Sequence, residues 1–392
     1  MKLHEVMKLD SQQLLDLSSN LLMSGYILLL SAIVPLGLGI KSNKKLLGKL
    51  GIGITYVSFI LQLGYFITRW FSVNHAPVSN MFEFMTFFGI MLVGGFILIY
   101  HMYEQLSVGL FVIPVSLIII GYGSVFSSEV SPLVPSLKSN WLAIHVITVA
   151  MSSAILSISF ATGIMYLLKV VDLTKKTISS RSLEFVLYCL VVVIGFIGAS
   201  TGFSVTTESR TLVYTDVQGN KSNAIYEMYP LIVNENEQQL GFITISNKID
   251  AAKLNSITWA FIVGTLLYIV IRISTRKSIS QLLKPLTKRV SANLMDEISY
   301  RSVVIGFPLF TLGGLLFAMI WAQIAWGRFW GWDPKEVWAL ITFLFYAAML
   351  HLRLSKSWEG EKTAWMAILG FGIIIFNQVF VNLIIAGLHS YA

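Results

Sequence analysis

The stretch Trp321–Trp338 reads WAQIAWGRFWGWDPKEVW and gathers five of the ten tryptophans in this 392-residue chain. An aromatic belt at a membrane interface accounts for one or two tryptophans at a helix end. It does not account for Trp326, Trp330 and Trp332 packed, with Phe329, into one glycine-containing loop. Such a loop can present a flat, π-rich surface, and Arg328 and Lys335 stand beside it. A large planar anion suits that surface, its rings stacking on the indoles and its carboxylates pairing with the cations. Asp333-Pro334-Lys335-Glu336 also has the order of a helix start, with Asp as N-cap, Pro first and Glu third. Capping by itself explains Asp333 and Pro334. Asn80-x-x-Glu83 repeats the capping-box logic.

Six histidines are the other candidates for chemistry: His4, His75, His101, His145, His351 and His389. His4 falls in a polar tail and His101 at a helix end, and neither needs a role. A lone histidine near a membrane surface is more often an interfacial polar residue than a ligand, but the neighbours of two of them change the weighing. Trp141 and His145 are an i,i+4 pair on one helix face. Gln378, Asn382 and His389 fall within about 40° of one face at 100° per residue. A polar stripe on an apolar span faces protein or a cavity, not lipid. His351 follows Asp333 by a helical distance of about 27 Å, so it sits toward the opposite surface. His145 and His389 at one depth and His351 at another offer imidazoles for a metal centre at two levels.

These groups must be carried by membrane helices. The chain is 55% hydrophobic and only 12% charged, whereas a soluble domain carries about 25% charged residues. That excludes a secreted enzyme, a cytosolic dinucleotide-binding protein and a disordered chain. Ten apolar stretches are long enough to span, at about 21–40, 50–71, 82–102, 108–126, 141–168, 184–203, 256–274, 302–324, 336–353 and 364–387. They are apolar all round, unlike barrel strands, so the expected fold is an all-α integral membrane protein. The organisation follows: a polar tail at 1–20, six spans over 21–203, an outward loop element at 204–255, and four spans over 256–392 that include the tryptophan loop. Within 204–255, Thr211–Thr215, Ile225–Val233 and Leu240–Ser246 read as two or three short strands. There is no internal repeat.

Charge gives a sidedness. The odd-numbered gaps between spans hold 18 of the 28 lysines and arginines, which places them in the cytoplasm and both termini and the tryptophan loop outside. The net charge of +8 is spent on topology, and no patch for nucleic acid forms. Ionisable residues such as Arg69, Glu83, Glu104, Glu184 and Arg272 fall near span ends, not at mid-depth, which counts against an ion-coupled transporter. The single cysteine, Cys189, excludes an internal disulfide, a redox pair or a thiolate zinc site; it reads as a small buried hydrophobe.

WGRFWGWDPKEVWALITFLFYAAMLHLR resembles the tryptophan-rich "WWD" signature of the haem-handling protein superfamily. WLAIHVITVA around His145, NLIIAGLHSYA around His389 and HAPVSNMFEF around His75 are similar to its ResC/CcsA branch, and the resemblance covers nearly the whole chain apart from the tail and parts of 204–255. It implies one subunit of a cytochrome c synthase (haem lyase) in the plasma membrane, acting with a ResB/CcsB-like partner. Haem b is taken from the cytoplasmic side, moved across the membrane and joined to the Cys-x-x-Cys-His segment of an apocytochrome c, with thiol-reducing proteins as further partners. The resemblance makes His145 and His389 the outer axial ligands and His351 the membrane-embedded histidine of the uptake site. Trp326, Trp330, Trp332 and Asp333 cradle haem at the attachment site, with Arg328 beside them. His75 receives no ligand role. The chain lacks a Cys-x-x-Cys-His of its own, so it is not a c-type cytochrome. A haem exporter or chaperone without lyase activity, and an ordinary solute transporter, are the alternatives.

Overall fold

Long apolar runs leave a backbone in lipid only one way to satisfy its own N–H and C=O groups short of a closed barrel, which is the helix. In the computed structural model, which describes residues 11–42, 44–130, 138–215, 221–235, 241–246 and 249–381, all ten expected spans are helices. They are α1 (Ser11–Ser42), α2 (Lys45–Val73), α3 (Met81–Tyr103), α4 (Leu106–Gly123), α5 (Asn140–Val170), α6 (Ile178–Thr206), α7 (Ala251–Thr275), α8 (Ala292–Trp326), α9 (Pro334–Lys356) and α10 (Glu361–Val381). Two spans begin well before expectation, and for α8 the start is Ala292 instead of about 302. The supposed tail is helical from Ser11 onward, because the polar residues Ser11–Asn20 extend the first span beyond its apolar part without a helix breaker.

The chain divides into two units, one formed by 1–171 with 283–392 and the other by 172–282. In the first, α5 is central and packs against α3, α4, α8 and α10, while α1 lies on α2 and α4. Leu29, Phe88, Ile90, Leu92, Phe96, Ile113 and Leu156 are fully shielded in its core. Along α2, Thr55, Ser58, Gln62, Tyr65, Arg69 and Ser72 form a buried polar seam whose spacing of three and four residues keeps it on one face. Ser58 donates to the Gly25 carbonyl of α1 at 2.7 Å, and Ser72 to the Ser11 carbonyl at 2.6 Å. Gly25 permits this approach, since a Cβ there would stand 2.7 Å from Gln62 Cγ. At the far end of α9 from its N-cap, Arg353 pairs with Asp296 of α8 at 2.7 Å, and Asp296 also accepts the Gly360 N–H.

The second unit is built on two long helices, α6 and α7, joined, among the described residues, by four short strands where two or three were expected. β1 (Arg210–Thr215) and β2 (Lys221–Tyr226) form an antiparallel hairpin, and β3 (Ile232–Asn234) pairs in parallel with β4 (Ile243–Ile245). The expected strand 225–233 is broken between β2 and β3 because Pro230 brings no N–H to a ladder. Asn255 of α7 accepts the N–H groups of Leu231 and Ile232 and donates to the Tyr229 carbonyl, which anchors the turn. Cys189 is exposed on α6, not buried: it lies on the face opposite Leu183, Leu187 and Val191, the positions this helix buries.

Candidate functional site

The N-terminal ends of α3, α5 and α9 and the C-terminal ends of α8 and α10 converge at one end of the first unit. They enclose a cavity of about 900 Å³, its open mouth included. Phe84, Val149, Phe310, Ala318 and Ala322 belong to its apolar wall, and Asn80, His145, Trp330, Lys335, Glu336, Asn377 and Gln378 to its polar lining.

His145 is set by backbone, not by a carboxylate. Its Nδ1 stands 2.8 Å from the Gly313 carbonyl, an acceptor only, so Nδ1 carries the proton. Nε2 is then the nitrogen with the lone pair, the form in which histidine binds a metal. The carbonyl belongs to Thr311–Phe317, a π-helical turn inside α8, and such turns are frequent at functional sites. Gly313 is needed here, because a Cβ would come within 2.9 Å of Thr148 and of the Val149 backbone. On its other side the imidazole stacks on the buried Trp321, with centroids 5.9 Å apart and planes 11° from parallel.

The tryptophan loop is shaped by Glu336. One carboxylate oxygen, Oε2, accepts the Gly331 N–H at 2.7 Å and the Asp333 N–H at 3.1 Å. Between them Trp332 takes a left-handed backbone conformation, φ 58°, which costs a non-glycine residue about 1–2 kcal/mol. The two hydrogen bonds hold it there. Asp333 accepts the Lys335 N–H and completes the capping box with Glu336, so the capping reading of Asp333 and Pro334 holds. The Asn80 box is only half made. Asn80 Oδ1 accepts the Glu83 N–H, but the Glu83 carboxylate turns to Ser79 and Arg69 instead. Arg328 is exposed and folds back over Gly331, where a Cβ would meet its guanidinium at 2.5 Å. The indoles of Trp330 and Trp332 meet edge to face at 5.9 Å, and Trp332 is 69% exposed.

Of the residues singled out from sequence, His145 and Trp330 line the cavity, while Trp326, Arg328, Trp332 and Asp333 are not on its lining. Trp326 packs behind, against Trp321 at 4.8 Å. His351 lies far down α9 and is exposed. His75 contacts the Ala76 carbonyl and lines a separate hollow that shares Val78 with the cavity. His389 and Asn382 lie outside the described residues. Gln378 faces the cavity as the polar stripe required, yet it does so from a second π-helical turn, Phe376–Val381. That wider turn also brings in Asn377, which a 100° periodicity sets apart from Gln378. Asn377 Oδ1 and Trp330 Nε1 are buried without hydrogen-bond partners among the described residues, a condition that costs about 1–3 kcal/mol for each group. Asn377, Phe84 and Gly313 are the members of the site that sequence reasoning missed.

The chain is thus a ten-span membrane protein whose helix ends enclose a cavity with an apolar wall and an imidazole, His145, on it. Residues 256–389 match the family model described as cytochrome C assembly protein. The chain is 31% identical over 345 residues to the cytochrome c biogenesis protein CcsA of Pyropia yezoensis, with 86% of each chain covered. It is 31% identical over 361 residues to that of Trichodesmium erythraeum (88% of each) and 29% identical over 385 residues to that of Mesostigma viride (96% of this chain, 98% of the relative). The chain belongs to the CcsA family and is a multi-pass membrane component of cytochrome c biogenesis.

Proposed function

We propose that this protein receives haem b, carries it across the plasma membrane and presents it for thioether attachment to the Cys-x-x-Cys-His segment of an apocytochrome c. It acts as the CcsA-type subunit of a haem lyase, with a ResB/CcsB-like subunit as its partner. The observation that carries this reading is His145, held by the Gly313 carbonyl in the tautomer that binds iron, on the wall of a cavity of about 900 Å³. The chemistry of the cavity fits the group: much of its wall is apolar, and among the described residues it keeps unpartnered polar atoms for a ligand's polar edge. The distribution of basic residues supports a cavity end that faces outward, where the acceptor would arrive.

In this reading His145 holds haem iron through Nε2, and His389 is the second axial ligand. His351 serves uptake at the cytoplasmic end, with a histidine of the partner. Trp326, Trp330 and Trp332 shape the loop that faces the incoming segment, Asp333 and Glu336 fix that loop, and Arg328 stands at its rim. Attachment adds each cysteine S–H across a vinyl group, with sulfur joining one carbon and hydrogen the other, so no oxidant is consumed. The substrate's histidine then replaces one axial imidazole.

The test is a visible absorption spectrum of the chain purified with its partner subunit, wild type beside His145→Ala and His389→Ala. A bis-histidine haem spectrum altered in both variants is expected. A haem-free wild-type complex despite ample haem supply would remove the reading, and unchanged spectra in both variants would remove the ligand assignment.

A further inference from the structure

The cavity wall holds two polar groups that axial ligation leaves unused. Trp330 Nε1 and Asn377 Oδ1 come from different elements, the tryptophan loop and the π turn of α10. Both atoms are buried and lack hydrogen-bond partners among the described residues, and both residues line the same cavity. Asn377 as a whole is only 8% exposed. An indole N–H can only donate, so it requires an acceptor, and a carboxamide turned about its last torsion presents its NH₂ to that same acceptor. The Lys335 side chain lines the same cavity and adds an amine donor. Glu336 is the opposing charge, but one of its carboxylate oxygens is committed to the N–H groups of Gly331 and Asp333.

An indole N–H, a carboxamide and an amine on the wall of one cavity define a carboxylate-binding corner. The periphery of haem b bears two carboxylates on one edge, while its other edges carry only methyl and vinyl groups. We propose that Trp330 and Asn377 hydrogen-bond a haem propionate and thereby fix which edge of the ring turns toward α9 and α10. This leaves the vinyl-bearing edges against the apolar wall and the mouth. The inference rests on the haem reading of the cavity and adds the residues that select and orient the tetrapyrrole.

The test titrates the full chain, co-purified with its partner subunit and depleted of haem, with iron protoporphyrin IX and separately with its dimethyl ester. Wild type is expected to hold the free acid at least about tenfold more tightly, the worth of one hydrogen bond to a charged group. Trp330→Phe keeps the ring and removes the N–H, and Asn377→Leu keeps the volume and removes the amide. Both are expected to lose the preference while still binding the ester, which also reports that they fold. Asn377→Asp sets carboxylate against carboxylate and is expected to invert the preference. A wild type that takes neither porphyrin would end the haem reading and this inference together. A wild type indifferent to esterification, Phe and Leu variants that keep the full preference, or an Asp variant that still favours the acid would overturn this inference alone.

Discussion

Arg69 donates through Nε to Glu83 Oε1 at 2.8 Å, with both side chains buried, and this ion pair ties α2 to the first turn of α3. Arg69 also donates to the Ser128 carbonyl at 2.8 Å, while the second Glu83 oxygen accepts the N–H and the hydroxyl of Ser79. The pair therefore anchors the segment that delivers Val78, Asn80 and Met81 to the cavity wall.

Breaking such a pair leaves a buried charge uncompensated. Arg69→Met and Glu83→Gln are each expected to destabilise the protein by about 3–5 kcal/mol, and the double variant by less than the sum. Unfolding of the purified protein in a denaturing detergent series, read as a double-mutant cycle, measures this; additive losses would contradict the pairing.

Gly313→Ala places a methyl against Thr148 and the Val149 backbone. Overpacking of this kind costs about 1–3 kcal/mol and pushes α8 from α5, lengthening the His145–Gly313 contact. A lower thermal midpoint together with a shifted haem absorption band is expected. A lower midpoint with an unchanged band would separate the packing from the ligand.

Glu336→Ala deprives the Gly331 and Asp333 N–H groups of their acceptor while Trp332 stays in a left-handed conformation. The loss is about 1–3 kcal/mol, concentrated in the loop. Acrylamide quenching of tryptophan fluorescence is expected to rise in the variant with its helix content retained; equal quenching would show that the loop holds its shape without Glu336.

His145→Ala and His351→Ala are expected to differ in stability even if both abolish attachment. His145 has a hydrogen bond to Gly313 and a stack on Trp321, worth about 1–3 kcal/mol together. His351 is exposed, and removing it changes stability by no more than about 0.5 kcal/mol. Thermal unfolding of the two variants side by side decides this.

The ten spans, the helix start at Asp333 and the importance of the tryptophan loop were legible in the chain. Each rests on local information, namely span length, capping chemistry and an improbable concentration of one residue type. The face of α10 that meets protein was legible through Gln378 alone. Its neighbour Asn377 was hidden, because a π turn is a property of the packed helix and resets the periodicity from which a face is read.

Hydropathy also could not say which apolar helices face protein. α3 is buried almost all round, whereas α7 and α9 bury few positions, yet all three are simply apolar by composition, since lipid and protein interior select the same residue types. That ambiguity is why Cys189 read as buried and is exposed. The sequence by itself determined that this is a ten-helix membrane protein with a tryptophan-rich loop and His145 near the end of a span. Only the tertiary structure decided that His145 meets the Gly313 carbonyl, that Glu336 holds the loop, and that Asn377 and Trp330 share one cavity. The first and the last join residues far apart in the chain, which helix packing, not local pattern, brings together; Glu336 reaches back only three and five residues, but the left-handed Trp332 between its two partners follows from no pattern of residue types.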